Sequence, residues 1–246
     1  MVSNNFQKDK LVNIPKHVAM ILDGNRRWAK QNNLPSYLGH KQGAENIYNL
    51  CDWCLKCGVK YLSLYCLSYE NLNRAKEELE YIYNYIVNNF NDKRIDELKK
   101  KQHVNISVFG DISLLPNDVQ SAICSVQKNQ IPANDIKLNL NICICYSGRQ
   151  EILKAIKDLF KDIQVGGVDI NDIDETKFSE YLYTKNCPEP DLLIRCGKEK
   201  RVSNFLLWQI GYCELYFCDK LWPEFNEQDF LLALYDFQGR LRRYGK

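Results

Sequence analysis

No stretch of this sequence stays apolar for the roughly 18 residues that a helix needs to cross a bilayer, which argues against an integral membrane protein. The N-terminal MVSNNFQKDKLVNIP is polar and has no signal-peptide core, which argues against secretion. Charge of one sign is missing too. Lys+Arg 33 against Asp+Glu 31 leaves a net +2, so no global field draws nucleic acid and any anion site must come from local clusters. There is no internal repeat, no low-complexity tract and no linker long enough to split the chain. The expectation is a cytoplasmic protein with a flexible N-terminal segment over residues 1–14 and one domain over 15–246.

What is present is ordinary in bulk: 246 residues, 45% hydrophobic and 26% charged, enough for one large α/β domain. The eleven cysteines are odd in number and scattered. Several sit in apolar patterns (Cys143, Cys145, Cys213, Cys218), as reduced, buried thiols do. Cys51, Cys54 and Cys57 have a C-x₂-C-x₂-C spacing that invites a metal. They also fall at i, i+3, i+6 of a helical stretch with Leu50, Trp53 and Leu55 interleaved and no nearby fourth ligand, which favours packing over zinc.

Strand patterns recur at 17–22, 60–66, 104–109, 137–145, 191–195 and 213–218. Helical patterns lie at 25–32, 40–57, 76–101, 116–129, 148–163, 175–184 and 227–243, with a turn at Gly166-Gly167. This alternation predicts an α/β fold: one domain with a central, mostly parallel β-sheet flanked by helices. Ligands of such sheets sit at the carboxyl ends of the strands. Here those ends carry Asp23-Gly24-Asn25, Ser68-Tyr69-Glu70-Asn71, Tyr146-Ser147-Gly148-Arg149 and Arg195-Cys196-Gly197. Each alone is a routine loop; together they fit one convergent site.

Residues 17–30, HVAMILDGNRRWAK, are the most informative. A buried-strand pattern runs into Asp23-Gly24-Asn25-Arg26-Arg27-Trp28. Asp and Asn suit a helix cap, and Gly lets backbone N–H groups approach a ligand. A helix start with two arginines favours phosphate or diphosphate. Asp23 would repel that anion unless a hard cation such as Mg²⁺, held by one carboxylate and phosphate oxygens, lies between them. The plainer alternative is a capped helix with solvated arginines. Along 76–91, Leu79, Ile82, Tyr83, Ile86, Val87 and Phe90 form an apolar stripe that is either ordinary core or the wall of a greasy channel.

HVAMILDGNRRWAK, GHKQGAENI, LSYENLNR, YSGRQEI and RCGKEKRVSNFLLWQIGYCELYFCDKLWPEF resemble, in order and at similar separations, the sequence blocks of the cis-prenyltransferases, the undecaprenyl and dehydrodolichyl diphosphate synthases. The resemblance spans residues 15–245. It implies a dimeric α/β enzyme that adds isopentenyl diphosphate units in cis to an allylic diphosphate, usually farnesyl diphosphate, with the growing chain in a hydrophobic tunnel walled by the 76–91 helix. It makes Asp23 the essential carboxylate for Mg²⁺ and the allylic diphosphate. Gly24, Asn25, Arg26, Arg27 and His40 would surround that diphosphate, with Trp28 and Arg74 in the substrate-binding set. Arg195, Arg201 and Ser203 would hold isopentenyl diphosphate, and Glu214 would help bind Mg²⁺. Asn71, with Ser68 and Glu70 beside it, would serve proton removal. The DDxxD motif of the trans-acting enzymes is absent; NDIDE at 171–175 is not one.

Against that pattern, Ser36 stands where many members have Arg, Leu72 where Trp is common, and Lys198 adds a cation near the expected isopentenyl site. Arg26 is a eukaryote-like replacement. Arg243 and Gly245 form an R-x-G element that in self-sufficient members reaches the partner's substrate phosphates, implying a homodimer active alone; a basic solvated tail is the alternative. A lengthened 74–110 segment implies a long, dolichol- or undecaprenol-sized product. That product would hold the enzyme loosely at a membrane, with the endoplasmic reticulum surface as the expected place. A non-catalytic scaffold would be expected to lose Asp23 and several arginines, which this chain keeps.

Overall fold

The computed structural model describes residues 11–128 and 131–243. Six strands, β1 (His17–Ile21), β2 (Tyr61–Ser68), β3 (Val104–Phe109), β4 (Leu138–Tyr146), β5 (Leu192–Arg195) and β6 (Glu214–Phe217), form one sheet in the order β3-β4-β2-β1-β5-β6. Every pairing is parallel. The helices between them are α1 (Asn25–Gln31), α2 (Ser36–Cys57), α3 (Lys76–Phe90), α4 (Lys93–Lys100), α5 (Asn117–Lys128), α6 (Gly148–Gln164), α7 (Glu175–Ser179) and α8 (Glu227–Gln238).

Both sheet faces are covered, and the period-2 alternation of β1 divides between them. Val18 and Met20 enter a core with Leu50, Trp53, Phe230 and Leu234, whereas Ala19 and Ile21 enter a second core with Tyr146, Phe205 and Leu206. Cys51, Cys54 and Cys57 are buried on α2 in the larger core, so their spacing is a packing pattern. Leu11 and Ile14 also pack against that core, and the Val12 N–H donates to Gln238 Oε1 at 3.1 Å.

The six strand patterns coincide with six strands. The helical patterns fare less evenly. The expected 76–101 helix breaks at Asn91, because the Asp92 side chain accepts from the Arg94 N–H at 2.8 Å and caps a new helix, α4. The 175–184 helix stops at Ser179 and continues as turns, and the 227–243 helix ends at Gln238, before Gly239. Helix α2 starts at Ser36, earlier than expected, directly after Pro35.

His17 opens β1 and is buried. Its Nδ1–H donates to Pro188 O at 2.6 Å and its Nε2 accepts from Ser63 Oγ at 2.8 Å, which fixes the neutral tautomer. Burial pushes its pKa down to about 4. The unfolded chain therefore takes up this proton more readily than the fold does. Stability carried by His17 is complete above pH 6.5 and is lost as pH falls toward 4, by about 3 kcal/mol. Urea denaturation at pH 7 and pH 4.5 should show this loss in the native chain and a flatter profile in His17→Gln.

Candidate active site

The chain leaves β1 for β2 on one side and places β5 on the other, so strand order reverses at β1. Loops diverge at such a switch point and open a crevice beyond the carboxyl ends. Here the crevice is a cleft of about 840 Å³. Into it project Asp23, Gly24, Asn25, Arg26 and Arg27 after β1; Ser68, Glu70, Asn71 and Arg74 after β2; and Arg195, Arg201 and Ser203 from β5 and the loop beyond. His40 of α2 completes the set.

Asp23 is the electrostatic centre. Its Oδ2 accepts from Arg195 Nη2 at 2.9 Å and its Oδ1 faces Arg27 Nη2 at 3.2 Å. The Arg195 side chain is only 4% exposed, so its charge needs this partner. Its Nη1 donates to Ser203 Oγ at 2.7 Å and to the Arg201 carbonyl. Two glycines make room. Gly24, at φ 116, is the N-cap of α1 and lies against Leu221. Gly197, at φ 93, sits where a Cβ would meet Arg27 Nη2 at 2.6 Å. Neither Asp23 nor Asn25 caps α1, contrary to the sequence expectation: Gly24 takes the left-handed turn and leaves Asp23 free to face the arginines.

Two further carboxylates pair with cations of the cleft, whereas Arg149, which also lines it, has no ion-pair partner among the described residues. Glu78 of α3 accepts from Arg74 at 2.9 Å and lies 3.6 Å from Arg26 and 3.7 Å from His40 Nε2. Glu199 pairs with Arg201 at 2.5 Å and lies 3.7 Å from Arg27. Burial, with Arg74 and Arg26 nearby, lowers the His40 pKa, so the ring stays neutral through the pH range where an ordinary histidine takes up its proton. Asn25 Oδ1 and Arg195 Nε are buried at the cleft with no hydrogen-bond partner among the described residues, which marks polar capacity left for a ligand.

The turn after β2 is closed on itself: Ser68 Oγ accepts from Asn71 N at 3.2 Å, and Asn71 Oδ1 accepts from Ser68 N at 3.3 Å. Asn204 ties this turn to the others, donating from Nδ2 to Glu70 Oε1 at 2.8 Å and to Ser147 Oγ at 2.6 Å. Glu78, Glu199 and Asn204 are site residues that sequence reasoning missed. Glu78 reads as a first-turn helix acid. Asn204 had one local signal, a residue type that tolerates the left-handed φ of 63 it adopts.

Not every expected residue converges. Trp28, one residue past Arg27 on α1, does not line the cleft. Glu214 starts β6 opposite Leu192, at the far end of the sheet from Asp23, where it pairs with Arg240 at 2.8 Å. Within one chain it cannot share a metal with Asp23. Arg243 is exposed, next to Arg242, which binds Asp191 at that same far end; Gly245 lies outside the described residues. Leu72 packs against the core. Ser36 lines a side groove with His40 and Glu78. Lys198, expected to add a cation near the isopentenyl site, does not line the cleft itself but a neighbouring groove that shares Arg27 with it.

An apolar cavity of about 150 Å³ adjoins the cleft, sharing Leu22, Asn25, His40, Cys66 and Ile82 with it. Ile86 and Phe90 of α3 form one wall, Ile142 and Ile144 of β4 another. Cys66 reaches it because β2 slips register there: Tyr65 pairs with Cys143 and Leu67 with Ile144. Bulges of this kind re-aim side chains beside active sites.

A parallel α/β sheet with a cation-lined cleft at its switch point defines a protein that handles phosphate esters. Residues 21–245 match the Prenyltransf family model, that of the undecaprenyl diphosphate synthases. An isoprenyl transferase of Clostridium tetani is 43% identical, over 99% of this chain and 94% of its own. A tritrans,polycis-undecaprenyl-diphosphate synthase (geranylgeranyl-diphosphate specific) of Thermoplasma volcanium is 40% identical, over 94% of this chain and 89% of its own. The crystal structure of lavandulyl diphosphate synthase from Lavandula x intermedia, in complex with dimethylallyl diphosphate, superposes with a TM-score of 0.88 at 33% identity, covering 95% of this chain and 99% of that one. The chain belongs to the undecaprenyl diphosphate synthase family and is a cis-prenyltransferase, a prenyl diphosphate synthase.

Breaking the central pair should be costly for the fold. Arg195→Met is expected to lose about 2–3 kcal/mol in urea denaturation, below the full buried-pair value because Asp23 is partly solvated. Adding Asp23→Asn should recover part of that loss.

Proposed function

We propose that this enzyme condenses isopentenyl diphosphate units in cis onto an allylic diphosphate and makes a long-chain polyprenyl diphosphate of dehydrodolichyl or undecaprenyl type. The catalytic unit is residues 15–246. The observation that carries the reading is the joining of the two environments: the arginine-lined cleft around Asp23 opens onto the apolar cavity under α3 through shared residues. A diphosphate head needs the first and a growing hydrocarbon tail needs the second.

The roles follow from the chemistry. The allylic diphosphate lies against Gly24, Asn25, Arg26, Arg27 and His40. Its carbon–oxygen bond breaks as charge builds on the departing diphosphate, and Arg26, Arg27 and Arg74 stabilise that charge. Arg195, Arg201 and Ser203 hold isopentenyl diphosphate so that its double bond faces the allylic carbon, and positioning supplies much of the rate. A new carbon–carbon bond forms and a proton leaves. Asn71 and Ser68 shape the loop where that occurs. Glu70 is the carboxylate there with no ion pair among the described residues, which suits it to accept the proton. The leaving group carries both electrons of the broken bond, so no redox partner is involved.

Mg²⁺ is the proposed cofactor. An oxygen donor at the base of a diphosphate cleft suits this hard cation, and Asp23 is that donor. No group of three His, Cys, Asp or Glu is placed to hold a metal among the described residues, and an ion held by one carboxylate and substrate phosphates needs none. When bound, Mg²⁺ would neutralise charge on the diphosphate oxygens. Glu214 reaches such a site only from outside this chain's own cleft.

Farnesyl diphosphate is the primer expected from sequence; geranylgeranyl diphosphate is the one named for several archaeal relatives. The assay supplies labelled isopentenyl diphosphate, Mg²⁺ and each primer in turn, then sizes the lipid-soluble product. Incorporation abolished by EDTA and reduced at least a hundredfold in Asp23→Ala is the expected result. No incorporation by folded wild-type protein would overturn the reading.

We further propose a homodimer in which Arg243 and Gly245 serve the partner's substrates. The exposed position of Arg243, away from its own cleft, supports this. Arg243→Ala should cut turnover at least tenfold with an unchanged circular dichroism spectrum; unchanged kinetics would remove the idea. Among the described residues no helix is long and apolar enough to cross a membrane. The apolar product supports a loose, peripheral place on a membrane, with the endoplasmic reticulum surface as the proposed one.

A further inference from the structure

Beyond Arg27 the surface opens into a second groove, of about 680 Å³. Successive side chains after β5 sort between the two spaces: Glu199 and Arg201 line the cleft, whereas Lys198 and Lys200 line the groove. Arg27 borders both. The opposite wall brings Lys220. The two loops are fastened to each other, Gly197 N–H donating to Lys220 O at 2.7 Å and Lys198 N–H to Cys218 O at 3.2 Å, with Lys198 held at φ 67. The lysines therefore stand on a fixed frame.

The charge balance of the groove is positive. Arg27, Lys198, Lys200 and Lys220 face only Asp219 and Glu224. Arg27 is already engaged by Asp23 and Glu199. None of the three lysines has an ion-pair partner among the described residues, whereas Arg26, Arg27, Arg74, Arg195 and Arg201 of the cleft are paired with Asp23, Glu78 or Glu199. A groove of unpaired cations touching the reacting cleft through one shared arginine fits a polyanion that moves between them.

We propose that this groove is a further binding site for a diphosphate group, apart from the two positions in the cleft. Resting on the function proposed above, two anions of this chemistry pass Arg27 in each cycle: inorganic diphosphate leaving and isopentenyl diphosphate arriving. Exposed lysines suit either, because they hold a phosphate as point charges and release it readily.

Equilibrium titration of the full chain with inorganic diphosphate, and separately with isopentenyl diphosphate, decides it at low ionic strength, where such contacts are least screened. The cleft itself offers two diphosphate positions, so the groove is read as the equivalent that the lysines control. Lys198→Gln/Lys220→Gln should weaken one equivalent of at least one probe ~tenfold and leave the others unchanged. Arg201→Gln should weaken an equivalent held in the cleft and leave that one unchanged. A shift with inorganic diphosphate alone assigns the groove to discharge, and a shift with isopentenyl diphosphate alone assigns it to entry; both support the site. Binding of both probes that the double variant leaves unmoved overturns it. Prenyl transfer measured on the same preparations keeps the two readings apart: a chain that transfers no prenyl group fails the earlier proposal while the titration still decides the groove.

Discussion

The Asp23 carboxylate and the Arg195 guanidinium meet 2.9 Å apart across the two strands where the sheet changes direction. Arg195 is the last residue of β5 and pairs in register with Ile21, the last of β1. A nearly buried guanidinium at that point would be intolerable alone; Asp23 balances its charge, and Asp23, Ser203 Oγ and the Arg201 carbonyl accept from its two Nη groups. The contact fixes the loop after β1 against the loop after β5. Gly24 and Gly197 adopt the positive φ values that this close approach demands. The positions of Arg27, Arg201 and Ser203 follow from it.

Around that pair the cleft manages its own charge. Without a bound anion, arginines this close would repel one another, and Glu78 and Glu199 reduce that cost. Both pairs are partly solvated, so each contributes little stability and a diphosphate can displace them. Glu78 belongs to α3, which also walls the apolar cavity, so head-group and tail environments share one element. Helix α3 has no fully buried residue: Ile82, Tyr83, Ile86, Val87 and Phe90 are half-buried, packed against the core at the edge of the cavity.

The sequence was most legible where a pattern is local. All six strands could be located because their Val/Ile/Leu/Tyr-rich runs reflect burial on both faces. The convergence of four loops followed from parallel topology alone. Helix ends were less legible, since Asp92 and Gly239 end or start helices by single hydrogen bonds or turns that an apolar stripe does not register. Glu78, Glu199 and Asn204 were invisible as site residues, because their roles exist only across distant segments.

The sequence by itself determined the family, the parallel α/β architecture and the cationic character of the site, since each is written in residue type and short-range order. Only the tertiary structure decided which charges pair, that Glu214 and Arg243 lie at the opposite sheet end from Asp23, and that Lys198 faces a groove of its own. The physical reason is that hydrogen bonds and ion pairs act over a few ångströms between residues as far apart in sequence as Asp23 and Arg195, 172 positions, or Val12 and Gln238, 226 positions, and tertiary structure brings such residues together where no sequence spacing can.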